Sequence, residues 1–146
     1  MTTPDRLLCA CLGGLILSLL LIGVVSSTPL RHLVQAVPAV VALGLVWRGV
    51  AWSPYSAVPI FLFWLFIMIL IWLFLLGLAH IITGTFSPAE RVLTVAVGLS
   101  CVLGIGAALR ASPASGWKSR SLAFLAFAFF AVAAVWASLQ PLFAQR

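Results

Sequence analysis

The chain has 146 residues, 64% of them hydrophobic and only 7% charged, with a mean hydropathy of +1.28 and a formal net charge of +6. So few charges cannot coat a water-facing surface, which excludes a soluble globular domain and leaves a single transmembrane domain over 1–146. The cations Arg6, Arg31, Arg48, Arg91, Arg110, Lys118, Arg120 and Arg146 are dispersed between apolar runs, a pattern that fits the lipid bilayer as partner and argues against nucleic acid.

Five apolar runs, 7–25, 30–50, 57–82, 92–109 and 122–139, match the roughly 20 residues that a helix needs to cross a hydrocarbon core. An all-α bundle of five transmembrane helices is therefore expected. A hydroxyl residue followed by proline precedes each run, at Thr3-Pro4, Thr28-Pro29, Ser53-Pro54, Ser87-Pro88 and Ser112-Pro113. The hydroxyl is suited to capping free N–H groups, and proline to the first helical turn.

The first helix is predicted over 4–26, and its run is longer than a signal-peptide core, so a retained helix is expected. Cys9, Cys11 and Cys101 are odd in number and lie in apolar segments. Free thiols are expected, because Cys9 and Cys11 are too close for the usual metal clip and have no histidine beside them. The second helix, predicted over 29–49, opens with Arg31 and His32; Gln35 follows Arg31 by one turn on the same face, and Trp47-Arg48-Gly49 marks its end. The third, over 54–83, is bulky on every side and reads as lipid-facing or as a greasy surface for another subunit. Its Trp64 and Trp72 lie inside the run, where their indole N–H groups need partners. His80, near its end, is expected at the depth of His32.

The fourth helix, over 88–110, opens on Ser87-Pro88-Ala89-Glu90, a capping-box sequence. Its small residues Ala96, Ser100, Gly104 and Ala108 recur every four positions and form a ridge for close helix packing. The fifth, over 117–140, follows a polar linker and has a comparable stripe at Ala126, Ala133 and Ala137. Helices one, four and five are thus expected to pack together, with the third turned outward.

Five crossings put Arg6, Arg48, Arg110, Lys118 and Arg120 on one side and Arg31, Arg91 and Arg146 on the other. Excess positive charge marks the cytoplasmic side, so a cytoplasmic N-terminus and external C-terminus are expected, in a bacterial cytoplasmic (inner) membrane. Trp47, Arg48, Trp52, Tyr55, Trp117, Lys118 and Arg120 are the expected interfacial anchors.

The two carboxylates, Asp5 and Glu90, fall in first helical turns, where they complement the helix dipole. No catalytic constellation or midplane ionisable residue accompanies them, which argues against an enzyme and against an ion-coupled carrier. Polarity concentrates at the outer leaflet in Arg31, His32, Gln35 and Glu90, with an ion pair expected between Arg31 and Glu90. His32 and His80 are candidate ligands for a haem, a metal or a quinone headgroup, set against the plainer reading of wetted polar tips; the cofactor is left unknown. The leading expectation is a non-enzymatic subunit or accessory component of a larger membrane complex, bound to other membrane subunits or to itself. The alternatives are a small oligomeric transporter or channel with an outer vestibule at Arg31, His32 and His80, and an electron-transfer protein.

Overall fold

The computed structural model describes residues 3–79, 84–111 and 115–140. It contains five helices: α1 (Thr3–Val25), α2 (Pro29–Trp47), α3 (Ser53–Leu75), α4 (Pro88–Arg110) and α5 (Trp117–Ser138). All five are long and apolar enough to cross a membrane, and no strand occurs among the described residues.

Proline stands in the first turn of α2, α3 and α4, where its missing N–H breaks no helical bond. The hydroxyl residues ahead of it do not share one role. Ser87 is a true cap: its Oγ accepts from the Glu90 N–H at 3.2 Å, while the Glu90 carboxylate accepts from the Ser87 N–H at 2.7 Å. Thr28 makes no side-chain cap bond, and Ser53 is the first residue of α3 with Trp52 at the cap position. Ser112-Pro113 lies outside the described residues.

Three helices end in the same way. After α1, α2 and α3, the residues Ser27, Gly49 and Gly77 adopt φ of 58°, 69° and 73°. The next N–H reaches back to a carbonyl in the last turn, Thr28 to Gly23 at 2.8 Å, Val50 to Leu45 at 3.2 Å and Leu78 to Leu73 at 2.9 Å. This is the Schellman closure, which satisfies carbonyls that the helix leaves open. Gly77 therefore ends α3 at Leu75, short of the position 83 expected when Gly84 is taken as the stop.

The helices contact one another in a closed ring, in the order α1, α2, α5, α3, α4 and back to α1, with α2 also touching α3 across it. Short connections make sequential helices antiparallel, so α3 and α5 are parallel neighbours. The Arg120 guanidinium, 5.2 Å from the Tyr55 ring centroid, joins their starting turns.

This order corrects the outward-facing reading of α3. The helix packs against α4, α5 and α2 through Ala57, Ile60, Phe61, Trp64 and Met68, all buried, and leaves Leu62, Phe66 and Ile69 exposed on its other face. Its composition hides this asymmetry, because both faces are equally apolar. The ring also separates α5 from the close partnership expected with α1 and α4. Its buried stripe is Ala123, Phe127, Ala131, Ala134 and Ser138, while Ala126 is exposed.

On α4, Gly104 and Ala108 are buried and Ala96 and Ser100 are half-buried. Gly104 lies directly beneath the Phe61 ring, with no room for a Cβ atom. A Cβ on Gly14 of α1 would stand 2.9 Å from Ser100 Oγ. The ridge thus serves two neighbours, α3 near one end of the bundle and α1 near its middle.

Candidate functional site

At the end of the bundle where α2 and α4 begin, the ring encloses a cavity of about 660 Å³. All five helices contribute to it, and Ser26, Thr28, Gly84, Thr85 and Phe86 border its mouth. Arg31, His32, Gln35, Glu90 and Thr94 form a polar rim, whereas Leu19, Phe63, Trp64, Ile67, Met68 and Ile71 are among the apolar walls below. Trp64 lies eleven residues before the end of α3, about 16 Å of helix, so the cavity runs deep into the bundle. A volume of this size is typical of small-molecule sites.

His32 is held from behind. A Cβ on Gly23 of α1 would come within 2.8 Å of the His32 Cβ, so α1 and α2 cross closely only because residue 23 has no side chain. His32 Nδ1 stands 3.1 Å from the Thr28 carbonyl oxygen and 3.2 Å from Thr28 Oγ1. A carbonyl only accepts, so Nδ1 carries the proton, and in the neutral ring the lone pair is on Nε2. The chain of donors continues away from the ring: Thr28 Oγ1 is 2.7 Å from Ser26 Oγ, which donates to the Ile22 carbonyl at 2.7 Å.

Gln35 is buried and donates from Nε2 to Ser138 Oγ of α5 at 2.9 Å; Ser138 in turn donates to the Val135 carbonyl at 2.7 Å. Hydrogen bonds of this kind between membrane helices contribute about 0.6 kcal/mol on average, so its main effect is to orient the amide beside the cavity. Ser138 escaped the sequence reading because a serine in an alanine-rich helix gives no sign of which neighbour it meets.

The ion pair expected between Arg31 and Glu90 does not form among the described residues. The Glu90 carboxylate is drawn back onto its own helix start by the Ser87 N–H. Arg31 lines the cavity with no hydrogen-bond partner among the described residues, and the same is true of the Trp64 indole N–H. The structure thus gathers Arg31, His32, Gln35 and Glu90 around one cavity and adds Trp64 and Thr94, which the sequence did not tie to it. His80 lies outside the described residues, and no three metal-ligating side chains cluster among those described.

The expected anchors stand at the opposite end. Trp47 and Trp117 are 72% and 79% exposed, Arg48 and Lys118 are exposed, and Trp52, Tyr55 and Arg120 are half-buried. A smaller cavity of about 170 Å³ at that end is bordered by Asp5, Gly49 and Ser53.

Comparison of the chain with protein-family models, with curated proteins and with solved structures gives no match.

Proposed function

We propose that this chain is a non-enzymatic integral membrane protein that binds an amphiphile in the cavity formed by its five helices. The observation that carries the reading is the division of the cavity wall into a polar, charged rim and a deep apolar shaft. A ligand with a polar head and one hydrocarbon chain buries its apolar part against the shaft while keeping its head hydrogen-bonded, so neither half incurs the cost of a mismatched environment. With the N-terminal end at the cytoplasm, the mouth opens at the outer leaflet, within reach of the lipid headgroups there. Within the role of an accessory subunit, the bound amphiphile is what the chain contributes to its assembly.

Binding is favoured over conduction. The polar lining stops at Gln35 and Thr94, and fully buried Phe61, seated on Gly104, belongs to the apolar core beyond Trp64.

The test is extraction and mass spectrometry of lipid from the full chain purified in mild detergent. The wild type is expected to carry about one amphiphile per chain. Ile67→Trp, which adds bulk to a lining position, is expected to lose it while keeping its helical circular dichroism. Equal amphiphile content in the two proteins would refute the cavity as the binding site.

A further inference from the structure

The mouth of the cavity holds one positive and one negative group that do not neutralise each other. Arg31, in the first turn of α2, and Glu90, in the first turn of α4, both line it together with His32. No ion pair joins the two, and the guanidinium has none of its five donors engaged among the described residues. Glu90 uses Oε2 for the Ser87 N–H, which leaves Oε1 as an acceptor. His32 offers a second acceptor, since its Nδ1 proton is turned to Thr28.

Resting on the amphiphile reading, we propose that the cavity selects a zwitterionic phospholipid headgroup that ends in a primary ammonium. The phosphate is held by Arg31, the ammonium donates to Glu90 Oε1 and His32 Nε2, and one acyl chain runs down the shaft past Ile71, Ile67 and Met68 to Trp64. A headgroup with only a negative charge satisfies Arg31 but meets Glu90 uncompensated. A quaternary ammonium carries the compensating charge but has no N–H to donate to Glu90 or His32, so the charge-assisted hydrogen bonds are lost.

Native mass spectrometry of the full chain in mild detergent tests the assignment, with an equimolar mixture of phosphatidylethanolamine, phosphatidylglycerol and phosphatidylcholine bearing identical chains. The wild type is expected to retain phosphatidylethanolamine roughly tenfold over the other two, the value of one charge-assisted hydrogen bond. Glu90→Gln keeps the capping box, because glutamine serves equally at that position, and is expected to bring phosphatidylethanolamine down to the level of phosphatidylglycerol. Arg31→Gln is expected to lower retention of all three lipids, and Arg31→Lys to restore part of it. Soluble phosphoethanolamine is expected to displace nothing; displacement of the lipid by it would overturn the lipid as source.

Equal retention of the three lipids by the wild type, lost in Ile67→Trp, would overturn the headgroup assignment while leaving amphiphile binding intact. Failure of the wild type to retain any lipid would overturn both.

Discussion

Ser27 and Gly77 occupy the same place in two helix ends, yet only one is glycine. Both have positive φ in a Schellman closure, and a left-handed residue with a Cβ costs roughly 1 kcal/mol or more. Ser27→Gly relieves that cost but gives the unfolded chain more freedom, so a net stabilisation of up to about 1 kcal/mol is expected. Gly77→Ala imposes the cost and is expected to destabilise by about 1 kcal/mol, since its Cβ would meet nothing within 4 Å and adds no clash. Thermal unfolding of the two variants in detergent, followed by circular dichroism, checks the opposite signs. Such positions differ in legibility. Gly49 after Trp47-Arg48 announces a stop, whereas Ser27 announces nothing, because serine also serves as a cap and only the backbone shows which role it has taken.

Between elements, α4 contrasts two glycines of one helix. Gly104 lies under the Phe61 ring, whereas a Cβ on Gly98 would meet nothing within 4 Å. Gly104→Ala is expected to destabilise by about 1–3 kcal/mol through overpacking, and Phe61→Leu in the same chain to return part of that. Gly98→Ala is expected to stabilise by about 0.5–1 kcal/mol through helix propensity alone. Unfolding of the four proteins in one detergent measures the difference; equal effects at both glycines would mean that α3 and α4 do not approach closely. The small-residue spacing on α4 was legible as a ridge, but not which neighbour each residue meets. On α5 alanine is so frequent that several faces are equally small, and the buried one is fixed by contacts with α2 and α3.

At the scale of the whole molecule, five helices that are each long and apolar enough to cross a membrane are expected to put the two chain ends on opposite sides of it. Alkaline phosphatase fused after Arg146 is expected to be active, and the same reporter fused after Gly49 inactive; the reverse pattern would overturn the proposed orientation and move the cavity mouth to the inner leaflet. The sequence by itself determined the number and approximate extent of the helices, because backbone hydrogen bonding in lipid demands continuous apolar helices of a set length. It also singled out Arg31, His32, Gln35 and Glu90, which stand out against an apolar chain, but not Thr94, the fifth polar residue of the rim. Only the tertiary structure decided the ring order, the buried face of α3 and the existence of a cavity. Those depend on shape complementarity between surfaces of nearly equal hydropathy, where a missing Cβ at Gly23 or Gly104 decides which helices meet and hydrophobic patterning is silent.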